Sequence, residues 1–208
     1  MNRVEIKNQA KSMIKGRLLT VWKPQGIVIL ISLAAGLLLG IMTGGNKESS
    51  LYSLISLLFN LVLIPISVGV MVYMLKFIRN QNPEIQDVWS TLPKFIPILT
   101  TSIIATFAII FGLFLLIIPG IILSFGLSMY VYILADSNYN LTPVEVLKES
   151  WRLMKGYKGD YFVFNFSFFG WMLLLPLTLG LIIIWLYPYM ITAQTLYYEK
   201  LKSAPRMQ

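Results

Sequence analysis

An uncharged stretch in the middle of the chain restricts its fold more than any other feature of the sequence. No charged residue occurs between Lys94 and Asp136, and the apolar run is interrupted only at Pro119-Gly120. A helix needs about 20 apolar residues to cross the hydrocarbon core of a bilayer, so a stretch of about 40 is long enough to cross twice. The sequence therefore predicts two transmembrane helices, Ile96–Ile118 and Gly120–Ala135, joined by a tight turn at the Pro-Gly pair.

The composition agrees with a membrane protein and excludes several kinds of chemistry. Of the 208 residues, 57% are hydrophobic and only 12% are charged, whereas soluble domains have about 25% charged residues. Cysteine and histidine are both absent. Disulfides, Cys/His zinc sites, thiol nucleophiles and Ser-His triads are therefore excluded. Because the nine acidic residues are dispersed over loops, we predict that the protein is not an enzyme and holds no cofactor.

Further apolar segments extend the prediction to six transmembrane helices in one all-α domain, residues 1–208. The additional segments are long enough to cross a bilayer; they are Gly26–Thr43, Leu51–Phe77, Tyr161–Pro176 and Leu179–Tyr198. We expect these six helices to form three hairpins.

Each predicted hairpin follows a short segment with the pattern of a cytoplasmic amphipathic helix. Asn82-Pro83 is typical of a helix start, and Thr142-Pro143-Val144-Glu145 has the sequence of a capping box. The chain thus shows three units of the same pattern, residues 1–78, 82–136 and 142–198. Few residues are identical between these units, so what repeats is the order of an amphipathic segment followed by an apolar hairpin.

Basic residues predict the orientation of the helices. All of the 17 Lys and Arg residues except Lys47 fall in segments on one side of the predicted membrane. The positive-inside rule places that side in the cytoplasm. Both termini and the three amphipathic segments are therefore predicted to be cytoplasmic.

The first amphipathic segment carries a basic stripe. Arg3, Lys7, Lys11 and Lys15 recur every four residues and would share one side of a helix. In one interpretation these charges are solvated and only determine topology. In the other, the helix lies on the membrane and the stripe contacts anionic lipid headgroups.

Two asparagines lie inside predicted transmembrane helices. An amide in hydrocarbon requires a hydrogen-bonding partner, so Asn60 and Asn165 are candidates for interhelical hydrogen bonds or, alternatively, for substrate contacts. A shared cluster of Asn60, Asn165 and Ser167 is one arrangement that the sequence allows.

One acidic residue stands at the cytoplasmic end of a predicted helix. Asp136 is a candidate turn residue, or an ion-pair partner for Arg152 or Lys155 in the following segment.

Small residues form a stripe on the first predicted transmembrane helix. Ser32, Gly36, Gly40 and Gly44 recur every four residues. Such a stripe lets a neighbouring helix approach closely, either within the chain or in a dimer.

The chain resembles a known family over nearly its whole length. Its motifs resemble those of a bacterial integral-membrane family called domain of unknown function 975; they lie at Ser150–Gly156, Phe169–Trp171, Leu177–Gly180, Trp185–Tyr189 and Tyr197–Glu199. A looser similarity is to the membrane domain that accompanies glycerophosphodiester phosphodiesterases. The resemblance implies a multi-pass protein of the bacterial plasma membrane and implies no activity.

Two functions from different classes are consistent with these features. The first is a non-enzymatic scaffold, accessory or protective (immunity-like) membrane protein, whose partners would be anionic lipid headgroups, another protein or a second copy of the chain, and not nucleic acid. The second is a small transporter or permease subunit with a polar path near Asn60 and Asn165. Lipid handling between the hairpins is a third possibility.

Overall fold

A computed structural model describes residues 1–137 and 140–204, and these residues form helices and connecting turns with no strand among them. The helices are α1 Arg3–Ile14, α2 Leu18–Met42, α3 Ser50–Ile78, α4 Gln86–Trp89, α5 Phe95–Leu115, α6 Ile117–Leu127, α7 Tyr130–Asp136, α8 Pro143–Leu153, α9 Lys158–Phe166, α10 Phe169–Met172 and α11 Ile183–Ser203. A 3-10 turn, Leu92–Lys94, connects α4 to α5.

Within the described residues, four helical segments are long and apolar enough to cross a membrane. They are Leu18–Met42, Ser50–Ile78, Gln86–Leu115 and Ile117–Asp136. The predicted all-helical class is therefore confirmed, and the apolar helices indicate a membrane protein.

The turn between α5 and α6 lies three residues before the predicted position. Leu116 has the extended backbone that separates the helices, with φ −161° and ψ 142°, and Pro119 falls in the first turn of α6. Proline is tolerated there because the first N–H groups of a helix have no intrahelical partner. Gly120 lies inside α6, where an added Cβ would come within 2.4 Å of Leu113 Cγ. The glycine therefore permits close packing and does not form the turn.

The second connecting segment also differs from its prediction. Asn82 has a left-handed backbone, with φ 48°, and the helix that follows is confined to Gln86–Trp89. The amide of Glu84 donates to the Asp87 carboxylate at 2.9 Å, so a side chain of α4 satisfies this backbone group outside a helix. The predicted start at Asn82-Pro83 was wrong.

The third connecting segment forms the capping box that its sequence predicts. Thr142 Oγ1 accepts from the Glu145 amide at 3.4 Å, and the Glu145 carboxylate accepts from the Thr142 amide at 2.7 Å. Hydrogen bonds from Thr142 hold the pKa of Glu145 below its ordinary value. Local hydrogen bonding alone thus determines where α8 begins.

The predicted fifth helix, Tyr161–Pro176, is interrupted. Helix α9 ends at Phe166, α10 has only four residues, and turns continue to α11. Gly170 and Pro176 both disfavour a continuous helix. The chain reverses at Leu179 and Gly180, whose φ angles are 48° and 82°, close to the predicted turn.

The most buried part of the molecule lies where α3, α7 and α11 meet. The rings of Tyr132 and Tyr198 stack between α7 and α11 with centroids 5.2 Å apart. Large side chains from all three helices are almost fully buried, among them Tyr73, Met74, Phe77, Leu134 and Tyr197. Helix α2, in contrast, has only three buried residues, Val21, Pro24 and Leu39.

Each of the connecting helices α1, α4 and α8 packs on one of these helices or on its neighbour. Helix α4 lies on α3, α8 lies on α5, α6 and α7, and α1 lies on α11. The first and last helices are thereby joined. The repeat of three units stays a prediction from sequence pattern.

Candidate functional site

Three helices end at one place and bring their terminal charges together. Arg79 directly follows α3, Asp136 is the last residue of α7, and Tyr198, Glu199 and Lys202 lie in the last two turns of α11. We call these five residues the terminal cluster.

Hydrogen bonds and ion pairs connect all members of the terminal cluster. Arg79 Nη1 lies 2.8 Å from Asp136 Oδ1, and Arg79 Nε donates to Glu199 Oε1 at 2.7 Å. Lys202 donates to the other Asp136 oxygen, which also accepts from the Tyr198 hydroxyl at 3.1 Å. Arg79 therefore joins α3 to both α7 and α11.

The terminal cluster is partly shielded from water and balanced in charge. The Asp136 side chain is 9% exposed and that of Arg79 is 29% exposed. Burial opposes the charge of Arg79, but hydrogen bonds to Asp136 and Glu199 outweigh it, so the pKa of Arg79 lies above its ordinary value. Two acids and two bases compensate each other. The arrangement can hold three helices together.

The terminal cluster has no features of a metal site. Among the described residues, no group of three or more acidic side chains could hold a metal ion. A small cavity of about 160 Å³ adjoins Asp136, Tyr198 and Lys202.

The predicted partners of Asp136 were wrong. Arg152 pairs with Glu149 on its own helix at 3.1 Å, and Lys155 forms no ion pair within the described part of the chain. Asp136 pairs instead with Arg79, which is distant in sequence, and with Lys202. Arg79 was not predicted as the partner, because many basic residues lie at helix ends and no local pattern distinguishes one of them.

The two candidate asparagines are not brought together. Asn60 is exposed on α3 and donates to the carbonyl of Ser56 in its own helix at 2.7 Å. Asn165 accepts from Gln194 of α11 at 2.9 Å. Asn165 therefore makes an interhelical hydrogen bond, whereas the cluster of Asn60, Asn165 and Ser167 does not form.

Two of the four residues of the basic stripe, Arg3 and Lys7, contact the chain itself. Arg3 lies 3.5 Å from the Asp160 carboxylate. Lys7 donates to Ser167 and lies 4.4 Å from the centre of the Phe168 ring. Burial, together with the nearby charges of Lys11 and Arg3, lowers the pKa of Lys7.

The other two residues of the stripe make fewer contacts with the rest of the chain. Lys11 lies 5.6 Å from the centre of the Tyr189 ring, and Lys15 is exposed. Contact between this stripe and lipid stays a prediction.

The stripe of small residues on α2 has no neighbour within the described chain. A Cβ added at Gly36 or Gly40 would meet no atom within 4 Å. The predicted close packing of a helix from the same chain on this stripe is therefore absent.

Two adjacent residues of the recognised motif attach α8 to the break between α6 and α7. Ser150 Oγ donates to the Gly126 carbonyl at 3.0 Å and accepts from the Met129 amide at 3.2 Å. The ring of Trp151 covers Gly126, where an added Cβ would lie 2.3 Å from Trp151 Cε3. Ser150 thus satisfies two backbone groups at an interrupted helix, and the motif positions α8.

Comparison with known proteins identifies a family for the C-terminal half. Residues 107–205 match the family model described as Protein of unknown function (DUF975). No curated protein and no solved structure matches the chain. The matched region contains all of the terminal cluster except Arg79.

Proposed function

Since residues 107–205 match the DUF975 family model, whose description assigns no activity, we propose from the chain's own residues that it is a non-enzymatic membrane scaffold. Its role would be that of an accessory or protective (immunity-like) protein of the bacterial plasma membrane. The proposal includes six spans in three hairpins, with both termini and the connecting helices α1, α4 and α8 in the cytoplasm.

The terminal cluster is the observation that carries this proposal. It joins the ends of α3, α7 and α11 through Arg79, and its charges compensate one another. Charged groups inside spans usually mark transport pathways, but the apolar interiors of the predicted spans carry none. A bundle joined at one end, without charge at mid-depth, is what a scaffold requires.

Contacts between the termini support the proposed orientation. Lys200 of α11 donates to Glu5 of α1, so the first and last helices reach the same end of the molecule. That end also carries most of the basic residues, as the positive-inside rule requires for a cytoplasmic side.

Chemical labelling tests the orientation without background, because the sequence has no cysteine. A cysteine at Asn46, between α2 and α3, should react with a membrane-impermeant maleimide added to intact cells. A cysteine at Lys15 should react only after permeabilisation. Labelling of Lys15→Cys, but not Asn46→Cys, in intact cells would reverse the proposed topology.

A small transporter is the second candidate. Its polar element would be the hydrogen bond between Asn165 and Gln194. The buried hydroxyl of Thr192, also on α11, has no partner among the described residues. In this alternative a polar path runs near Asn60 and Asn165.

Replacement of the two asparagines by leucine separates these functions. A scaffold should retain its ability to complement a deletion strain in Asn60→Leu and Asn165→Leu, and liposomes containing the wild-type protein should show no solute flux above protein-free liposomes. A transporter should show flux that the Asn165→Leu variant loses. Asn46→Leu, outside the predicted spans, is the matched control. If Asn165→Leu were the one variant that lost both flux and complementation, the scaffold proposal would be contradicted.

A further inference from the structure

The outer side of α8 and the start of α9 present a group of cations. Lys148, Arg152 and Lys155 are exposed, and Lys158 is partly exposed. Together with Trp151 we call them the α8 cationic face. Because Val146, Ser150 and Met154 are buried on the other side of α8, Lys148, Arg152 and Lys155 point away from the protein. The Lys158 side chain lies against Trp151 and beside Gly126.

This face lies beside a segment that is apolar enough to cross a membrane. Ser150 and Trp151 both contact Gly126, which lies within the candidate span Ile117–Asp136. Gly126 is the tenth of the 20 residues of that segment, just before the break between α6 and α7. The α8 cationic face is therefore attached where the segment is interrupted.

The aromatic residue of this face has the chemistry of a membrane interface. The Trp151 side chain is partly exposed, and its indole N–H has no acceptor among the described residues. The Lys158 ammonium lies 3.3 Å from the centre of the Trp151 ring. Tryptophan is enriched at membrane surfaces, and lysine extends its charge from an apolar stem towards headgroups.

The charge of this face is only partly compensated. Glu145 caps its own helix and Glu149 pairs with Arg152. Lys148, Lys155 and Lys158 form no ion pair within the described part of the chain, so the face keeps a positive excess. A groove of about 620 Å³ follows it, lined by Leu141, Glu145, Lys148, Glu149 and Arg152.

From the uncompensated charge and the exposed Trp151 we infer that the α8 cationic face binds the phosphate headgroups of anionic phospholipids. Lys148 and Lys155 supply the main electrostatic attraction, and the Trp151 indole lies between headgroup and acyl chain. The inference rests on the membrane-protein part of the proposed function and names the lipid partner. It also moves the lipid contact from α1, where Arg3 and Lys7 contact the protein, to α8.

Native mass spectrometry of the full chain tests this inference. The protein is released from nanodiscs containing equal amounts of phosphatidylglycerol and phosphatidylcholine, and retained lipids are counted. Lys148→Gln/Lys155→Gln should reduce retained phosphatidylglycerol roughly tenfold, since each basic residue near the surface contributes substantially to the attraction of anionic lipid. Phosphatidylcholine retention should not change.

The matched control removes two cations from α1. Lys11→Gln/Lys15→Gln changes the net charge equally and should leave phosphatidylglycerol retention within about twofold of wild type, because the headgroup contact is assigned to α8. Equal losses in both double variants, or a loss only in the α1 variant, would overturn the assignment to α8.

A second measurement uses the wild-type protein and does not depend on the folding of a variant. Preference for phosphatidylglycerol should disappear when the nanodiscs are equilibrated in high salt, because electrostatic attraction is screened. Free inorganic phosphate at equal ionic strength should compete no better than chloride if the ligand is a lipid. A preference insensitive to salt, or lost specifically to phosphate, would contradict the inference. These outcomes do not depend on solute flux. Failure of the lipid inference can therefore be distinguished from failure of the scaffold proposal.

Discussion

Replacing Gly69 with alanine is expected to destabilise the protein by about 3 kcal/mol, near the upper end of the usual cost of overpacking. A Cβ at this position would lie 1.9 Å from the Val88 carbonyl oxygen and 2.6 Å from its carbon. Both atoms belong to the backbone of α4, so no side-chain rotation relieves the clash. The α4 segment would have to move away from α3.

The α4 segment is not free to move. The Thr91 hydroxyl donates to the Pro65 carbonyl of α3 at 2.8 Å, and Lys76 of α3 pairs with Asp87. Displacement of α4 would weaken both contacts, which adds to the steric cost. Denaturation of the detergent-solubilised protein by increasing mole fractions of SDS, followed by circular dichroism, measures the change.

Gly36→Ala is the matched control for Gly69→Ala. Gly36 is also inside a long apolar helix, but an added Cβ there would meet nothing within 4 Å. Alanine is the better helix former by up to about 1 kcal/mol, so this variant should be neutral or slightly stabilised. Equal behaviour of the two variants would show that α4 does not pack against Gly69.

Replacing Arg79 with alanine is expected to destabilise the protein by about 2 to 3 kcal/mol. The substitution leaves Asp136 with Lys202 and leaves Glu199 without its cation. Breaking a fully buried pair costs about 3–5 kcal/mol, and the 29% exposure of Arg79 reduces that cost. The same SDS titration measures the loss, which should be accompanied by separation of the ends of α3 and α11.

Two comparisons show whether the terminal cluster acts as a unit. Lys94→Ala removes an exposed cation and should change stability by less than about 0.5 kcal/mol. A double-mutant cycle of Arg79→Ala with Glu199→Ala should give a coupling energy of about 1 kcal/mol or more, because the two side chains are in direct contact. Strictly additive effects would contradict a connected cluster.

Local patterns predicted the elements that depend on local physics. The apolar segment Leu51–Phe77 forms α3, Ser50–Ile78, with each bound one residue away. The Thr142 capping box forms as expected because its donors and acceptors lie within four residues. Helix breaks were predicted less well, because a proline can lie either in a connecting loop or among the first residues of a helix. Pro119 proved to occupy the latter position.

The candidate site could be predicted only in part, because its residues are far apart in the sequence. Asp136 was identifiable because a charge at the end of an apolar run is conspicuous. Its partners Arg79 and Lys202 were not identifiable, because ion pairing between helices depends on which helix ends meet. The same limit applied to Asn60 and Asn165, which satisfy different neighbours.

The helical and apolar character of the chain follows from its amino-acid sequence alone, because helix formation and partition into lipid depend on the composition of short segments. The shared ion-pair cluster at the ends of α3, α7 and α11, in contrast, arises from the packing of distant helices. The same packing places Arg3 and Lys7 of α1 against the protein, while the cations of α8 stay exposed. These outcomes depend on contacts between residues far apart in the chain, which no local pattern encodes.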